Sequence, residues 1–224
     1  YFAPWNAGKV LCINGVGNVE MLEPEIPGGI KYFAGGVLAP NGCIYFPPRS
    51  AGKVLCINAE GNVEMLEPEI PGDDKYNAGG VLAPNGCIYF APWNAGKVLC
   101  INAEGNVEML EPEIPGDDKY FAGGVLAPNG CIYSAPCNAE KVLCINAEGN
   151  VEMLEPEIPG DNKYNAGGVL APNGCIYFAP WNAEKVLCIN AEGNVEMLEP
   201  EIPGDNKYTA AGVSAPNGCI YFAP

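Results

Sequence analysis

Cysteine is the residue type most clearly placed for chemistry in this sequence, because of its number and its regular spacing. Ten of the eleven cysteines form two series with a spacing of 44 residues, one beginning at Cys12 and the other at Cys43. If the segments that carry the two series pair as neighbouring strands, symmetrically about the loop between them, the sulfurs lie side by side. The pairs that this predicts are Cys12–Cys219, Cys43–Cys56, Cys87–Cys100, Cys131–Cys144 and Cys175–Cys188.

Five cross-strand disulfides would follow from this pairing and would indicate an oxidising compartment. The alternative is ten buried thiols that act as small hydrophobic side chains, because a register shift of one residue turns the two sulfurs to opposite faces of the sheet. The eleventh cysteine, Cys137, stands alone where other repeats have Trp or Arg, and we expect an exposed free thiol there. Since the sequence has no Cys-x-x-Cys pair, it predicts no metal site.

A second candidate for chemistry is a recurring loop that contains Trp followed by Asn. Beside it we expect a connector that carries Asp, Lys and Tyr, such as residues 74–77. An aromatic ring near amide, carboxylate and ammonium groups suits a sugar, which offers an apolar face and hydroxyl groups. The candidate ligand-binding residues are Trp5, Asn6, Trp93, Asn94, Trp181, Asn182, Tyr76, Tyr120 and Tyr164.

The alternative for each Trp is that it packs over a junction between repeats. Two repeats have Arg49 and Cys137 at the Trp position, which leaves at most three equivalent sites. Repetition of a weak site would raise the avidity for a multivalent ligand.

The composition excludes several classes of function. The chain has no histidine, so histidine triads, histidine general bases, histidine–zinc centres and histidine-ligated haem are impossible. A net charge of −16 repels phosphate backbones, so we expect no nucleic-acid partner. The longest apolar runs have about four residues, far short of the about 20 that a membrane span needs. Nothing in the sequence predicts a cofactor.

Internal repetition organises all of these residues. The segment Asn-Gly-Cys-Ile-Tyr recurs five times at intervals of 44 residues. Five periods of 44 account for all but four of the 224 residues, and the four extra residues, Tyr-Phe-Ala-Pro, appear at both ends. The chain therefore consists of five units, starts in the middle of a unit, and carries the same four residues at both ends.

Each unit reads as four short strands. In residues 79–111, Gly79–Ala83 and Cys87–Phe90 flank a Pro-Asn-Gly turn that tolerates positive φ. Lys97–Asn102 and Val107–Glu111 follow, separated by Ala-Glu-Gly. No window has helical periodicity with caps, and four strands per 44 residues are typical of a propeller blade. The sequence therefore predicts an all-β fold, a five-bladed β-propeller with four antiparallel strands in each blade.

We expect one domain over residues 1–224, with full blades at 35–67, 79–111, 123–155 and 167–199. The fifth blade is expected to be shared between the termini, from residues 9–23 and 212–223, and so to close the ring of a monomer. Only one copy of Tyr-Phe-Ala-Pro can occupy the second-strand position of that blade. We expect the C-terminal copy to hold it and Tyr1–Pro4 to be displaced. The alternatives to a closed ring are a fragment of a longer array with more blades and a swapped assembly.

The inner strands argue against catalysis. They read Gly-Gly-Val-Leu-Ala, as in residues 79–83, and carry no acidic residue, whereas glycoside hydrolysis needs a pair of carboxylates. Near-identical units would also present one group five times rather than bring unlike groups together. We therefore expect a non-catalytic binding module and not an enzyme.

The repeat itself resembles a known kind of protein. Gly-Gly-Val-Leu-Ala-Pro-Asn-Gly-Cys-Ile-Tyr, followed by Ala-Pro-x-Asn-Ala-x-Lys-Val-Leu-Cys-Ile-Asn, is similar to the tandem repeats of uncharacterised propeller-like proteins in algae and other protists. This resemblance covers every unit and implies no established activity, and the near-identity of the units indicates recent amplification of one blade or an engineered product. In architecture the chain is similar to five-bladed lectins of the tachylectin type, without their sequence motifs. Carbohydrate binding is the leading expectation, and a protein-interaction scaffold or a structural role without a ligand is the alternative.

Overall fold

Twenty short β-strands make up the regular secondary structure of the computed structural model, which describes residues 1–223. In chain order they are β1 Val10–Ile13, β2 Val19–Leu22, β3 Val37–Leu38, β4 Ile44–Phe46, β5 Val54–Ile57, β6 Val63–Leu66, β7 Val81–Leu82, β8 Ile88–Phe90, β9 Val98–Ile101, β10 Val107–Leu110, β11 Val125–Leu126, β12 Ile132–Ser134, β13 Val142–Ile145, β14 Val151–Leu154, β15 Val169–Leu170, β16 Ile176–Phe178, β17 Val186–Ile189, β18 Val195–Leu198, β19 Val213–Ser214 and β20 Ile220–Tyr221. No helix occurs in these residues.

The strands form four four-stranded antiparallel sheets in which hydrogen-bonded neighbours follow chain order. We name them blade A (β3–β6), blade B (β7–β10), blade C (β11–β14) and blade D (β15–β18). Two two-stranded sheets flank them, the N-terminal half-blade (β1–β2) and the C-terminal half-blade (β19–β20). The all-β propeller predicted from the five repeats is confirmed, with four antiparallel strands in each full blade.

The same local sequence builds each blade. In blade B, Gly86 has a φ of 84° in the turn between β7 and β8. Asn85 Oδ1 accepts a hydrogen bond from the Cys87 N–H at 3.0 Å and holds that turn. All four residues of β9, Val98–Ile101, are buried, because this third strand has a strand on each side and a blade against each face.

The hydrophobic core lies at the junctions between neighbouring blades. At the junction of blades A and B, Tyr45 and Val54 pack with Ile88, Phe90 and Leu99. Equivalent residues pack at the next two junctions, except that Ser134 takes the place of Phe90 at the junction of blades B and C. Because a sheet buries its faces only against other layers, each inner blade depends on both neighbours for its stability.

The predicted shared blade is present as two separate halves. Phe2 and Leu11 exchange backbone hydrogen bonds of 2.8 and 3.1 Å, so the N-terminal Tyr-Phe-Ala-Pro lies beside β1. The expectation that Tyr1–Pro4 is displaced is therefore wrong, because this segment already pairs with the edge of β1. Within residues 1–223 the two half-blades share no strand pairing, and Val19 and Val213 are 64% and 68% exposed.

Candidate functional site

Ten residues from two kinds of segment form a hydrogen-bonded belt on one face of the propeller. One kind is the loop between the second and third strands, and the other is the connector that enters the next blade; antiparallel pairing places both at the same end of the blades. From Lys31 onward, each belt N–H donates to the carbonyl of the preceding member at 2.7–3.0 Å. In order the belt residues are Trp5, Lys31, Arg49, Lys75, Trp93, Lys119, Cys137, Lys163, Trp181 and Lys207.

Asparagine side chains fix the loops to the connectors beside them. Asn94 Oδ1 accepts a hydrogen bond from the Asp118 N–H at 2.6 Å, and Asp118 has a positive φ of 51°. Asn6 and Asn182 make the same bond to their own connectors. These bonds stabilise a left-handed backbone that residues other than glycine seldom adopt. The side-chain oxygens of these three predicted ligand-binding residues are therefore already used within the belt.

The predicted tyrosine ligands do not reach the surface. Tyr76, Tyr120 and Tyr164 are each 0% exposed. Their hydroxyls donate at 2.9–3.1 Å to the carbonyl of the Lys that precedes the third strand of the next blade. The prediction that they bind a ligand is wrong, because their rings belong to the core at the blade junctions and their hydroxyls already have acceptors.

Four belt lysines are buried, which was not predicted from the sequence. Lys31, Lys75, Lys119 and Lys163 are each 1% exposed. The Lys119 Nζ donates to the Gly116 carbonyl at 2.6 Å, and the other three make the equivalent bond. Burial lowers the pKa of Lys75, Lys119 and Lys163. The signal in the sequence is a Lys directly before each connector Tyr, a position interpreted above as facing a ligand.

Two aromatic pairs lie on the belt face, and only one ring of each is among the ligand-binding residues predicted from the sequence. The ring centroids of Trp5 and Phe33 are 5.5 Å apart, and those of Trp93 and Phe121 are 5.4 Å apart, both in edge contact. We call these pairs the first and second aromatic stations. The residue after the connector Tyr supplies the second ring, and in successive repeats it is Phe33, Asn77, Phe121, Asn165 and Thr209.

Arg49 covers the first aromatic station. Its guanidinium carbon lies 5.1 Å from the Trp5 ring centroid and 5.2 Å from the Phe33 ring centroid. Its Nε donates to Asp74 Oδ1 at 2.6 Å, and its Nη1 donates to Asn77 Oδ1 at 3.1 Å. A guanidinium over aromatic faces with acceptors at its edge is a favourable cation–π arrangement. The Trp5 ring that was predicted to stack on a sugar is therefore already in contact with a cation.

Cys137 occupies the Arg49 position beside the second aromatic station, and it is 0% exposed rather than exposed as predicted. A thiol is short enough to lie beneath the surface, where its Sγ is 3.7 Å from Asn162 Oδ1. Burial raises the pKa of Cys137 to about 11, and the Asp118 carboxylate acts in the same direction. Asn165 Oδ1, the counterpart of the Asn77 oxygen, is buried without a hydrogen-bond partner in residues 1–223.

The paired cysteines are free thiols in this structure, so none of the five predicted disulfides is present. In blade A, Tyr45 lies opposite Cys56, which makes Cys43 a diagonal neighbour of Cys56 on the same face. Blades B, C and D repeat this register, while Cys12 and Cys219 lie in different half-blades. The strands pair about a centre one residue further along the chain than symmetric pairing about the loop assumed.

Within residues 1–223 there is no helix that is long and apolar enough to cross a membrane. The same residues contain no group of three or more Cys, Asp or Glu side chains that could hold a metal ion.

Comparison with known proteins establishes the fold alone. No family model and no curated protein matched the chain. Virginiamycin B lyase from Staphylococcus aureus is similar at 19% identity and a TM-score of 0.71, over 97% of this chain and 78% of that chain. A streptogramin B lyase has 18% identity and a TM-score of 0.68, over 96% and 69% of the two chains. A chain of a nidogen/laminin complex has 15% identity and a TM-score of 0.55, over 97% and 82%.

These similarities support a repetitive propeller and do not confirm the resemblance to protist repeat proteins or to lectins. They also correct the expectation that the chain is not an enzyme, because lyases are among the proteins with this fold. Uncharged inner strands do not exclude catalysis in a propeller, since loops can supply the chemistry. Near-identical repeats do not exclude catalysis either, because the belt places unlike groups such as Arg49, Cys137 and Trp181 at equivalent positions.

Proposed function

We propose that this chain is a binding module that recognises a protein partner through the belt face. The observation that carries the proposal is the second aromatic station, where Trp93 and Phe121 are half-buried and in contact on a hydrogen-bonded backbone. Large aromatic side chains held in place by a rigid scaffold are enriched among the residues that contribute most to protein–protein affinity.

The charge of the chain favours a basic partner. Asp and Glu number 27 against 11 Lys and Arg. Four of the lysines are buried in the belt, and five others pair with the glutamate that directly follows an outer strand, as Lys53 does with Glu67. Arg49 is paired with Asp74. The surface is therefore acidic, and such a surface accelerates and orients association with a positively charged partner.

A carbohydrate is the second candidate ligand, and Trp181 favours it. This side chain is half-buried, and in the described part of the chain no aromatic ring or guanidinium lies against it. The position that holds Phe121 in the second station holds Thr209 in this repeat, which offers a hydroxyl group instead of a ring. A free aromatic face near a hydroxyl suits a sugar ring.

The test compares a random peptide library displayed on phage with a glycan array, using the same four proteins. These are the wild type, Trp93→Ala, Trp181→Ala and a control, Glu104→Gln, whose residue lies in the turn between β9 and β10. Peptides that bind the wild type and Glu104→Gln but not Trp93→Ala support the protein partner. Glycans lost only in Trp181→Ala support the second candidate. Peptide binding that all four proteins share would contradict the assignment to the belt face.

A further inference from the structure

The two aromatic stations differ in the residue that faces their rings. The first holds the guanidinium of Arg49 within 5.2 Å of both ring centroids. The second has the same pair of residue types at nearly the same separation, 5.4 Å against 5.5 Å, but Cys137 stands in the place of Arg49. Cys137 has no cationic group, so the second pair of rings lacks the partner that the first pair has.

The acceptor that serves Arg49 is also retained at the second station. Asn77 Oδ1 accepts from Arg49 Nη1 at 3.1 Å. Its counterpart, Asn165 Oδ1, is buried and has no partner within residues 1–223. A buried carbonyl oxygen without a donor is unfavourable. An N–H group delivered by a ligand would satisfy it.

The surrounding charges are compatible with a cation. Asp74, which pairs with Arg49, is replaced by Asn162, whose amide oxygen is still an acceptor. Asp118, which has Ile30 as its counterpart at the first station, adds a carboxylate here, and its backbone carbonyl accepts a hydrogen bond at 3.0 Å from the N–H of Asn138, the residue after Cys137.

A buried amine also lies near this site, but the first station shows that it does not prevent cation binding. Lys163 donates to the Gly160 carbonyl at 2.7 Å. Its counterpart Lys75 makes the equivalent bond while Arg49 occupies the first station. The lysine and the guanidinium therefore coexist in one repeat.

We propose that the second aromatic station, Trp93 with Phe121, is a binding site for a guanidinium group and receives an arginine side chain of the protein partner. The planar fork of a guanidinium can lie over the rings and reach the amide oxygens of Asn162 and Asn165, which correspond to the two acceptors of Arg49. A lysine ammonium lacks this shape. The inference names the ligand chemistry of the function proposed above and rests on it.

The test uses N-acetyl-arginine methylamide and, as its neutral isostere, N-acetyl-citrulline methylamide. Binding is followed at pH 7 by the indole N–H resonances in ¹H–¹⁵N NMR spectra, because each of the three tryptophans gives its own signal. The arginine compound is expected to shift the Trp93 signal in a saturable way, while the Trp5 signal stays in place because Arg49 already occupies that station. Citrulline is expected to bind at least about tenfold more weakly, because it carries no charge.

Substitutions that exchange the two stations give matched controls. Cys137→Arg places in the second station the residue that the first station already accommodates, and it is expected to weaken arginine binding at least about tenfold. Arg49→Cys is expected to create a second site, seen as a new shift of the Trp5 signal. Cys137→Ser leaves the station without a cation and is expected to bind as the wild type does.

Three results would overturn the proposal: equal binding of arginine and citrulline, undiminished binding by Cys137→Arg, or no response of Trp5 in Arg49→Cys. Failure here is distinguishable from failure of the proposed function. If selected peptides require Trp93 but contain no arginine, the belt face still binds protein and the guanidinium site is refuted. If the arginine compound binds as expected and the library yields no peptide, the guanidinium site is supported and the proposal of a protein partner is refuted.

Discussion

The Tyr76 hydroxyl donates a hydrogen bond to the Lys97 carbonyl at 2.9 Å, which joins the connector between blades A and B to the start of β9. Tyr120 and Tyr164 repeat this bond in the following connectors. The tyrosines that the sequence suggested as ligands thus hold each blade to the connector that enters it. The belt depends on this arrangement, because each tyrosine directly follows a belt lysine.

Replacing Tyr76 by Phe is expected to lower the free energy of unfolding by about 1 kcal/mol, because the Lys97 carbonyl loses its donor in a buried site. Urea denaturation measures the change. Tyr208→Phe is the matched control: its hydroxyl has no hydrogen bond within the described residues, so no change is expected. Equal losses in the two variants would refute this role for the hydroxyl.

A methyl group directly before β7 is expected to destabilise the fold. A Cβ at Gly80 would lie 2.5 Å from Phe90 Cε1 and 2.7 Å from Ile88 Cγ2. Gly80→Ala is therefore expected to destabilise the protein by about 1–3 kcal/mol through overpacking. Gly15→Ala has open space and an ordinary φ, and it should leave the thermal midpoint unchanged. A midpoint that Gly80→Ala does not lower would contradict the packing at the blade junction.

Alkaline pH is expected to destabilise the fold. Burial raises the pKa of Cys56 from 9.0 to about 12 and the pKa of Tyr45 from 10.0 to about 12. The unfolded chain loses these protons first, so their contribution is complete below pH 9.0 and disappears as the pH rises through about 12. The buried belt lysines act in the opposite direction, since burial lowers the pKa of three of them, but thiols and tyrosines with a raised pKa are more numerous.

The check is the urea midpoint at pH 8 and at pH 11 with a reductant present. A lower midpoint at pH 11 is expected. An equal or higher midpoint at pH 11 would show that the lysines dominate.

Thiol alkylation should follow burial. Cys219 is exposed, whereas Cys56, Cys100 and Cys144 are buried. With iodoacetamide under native conditions, Cys219 is expected to react first, and the buried thiols only after unfolding. The intact mass of the unreduced protein should equal that of the reduced protein. If the unreduced protein is lighter by about ten hydrogens, the five cross-strand disulfides do form.

Much of the fold could be predicted because the information is local. Pro-Asn-Gly and Ala-Glu-Gly turns mark the hairpins, and the apolar runs between them mark the strands, as at Val98–Ile101. The pairing register of the second and third strands could not be predicted in this way. Whether Cys43 or Tyr45 lies opposite Cys56 depends on how the loop packs against the connector, so the spacing of residues did not decide it.

The candidate site was predicted only in part. The Trp positions on the belt follow from the repeat, because the loop and the connector meet at one end of each blade. The burial of Tyr76 and Lys75 could not be read from the sequence, since both side chains carry polar ends and are covered only when two blades pack together. The contact of Arg49 with Trp5 joins residues 44 positions apart and exists only in the assembled propeller.

The sequence by itself determined the repeat of 44 residues, the four strands in each unit and the all-β propeller, because these depend on turns and on alternating side chains within a few residues. Only the tertiary structure decided which groups meet at the belt. It buries the connector tyrosines and Cys137, sets the register in which the paired cysteines are free thiols, and places a cation on one aromatic pair and none on the other. The physical reason is that these outcomes depend on packing between blades. At these junctions, small differences among near-identical repeats change which polar group has a hydrogen-bond or charge partner.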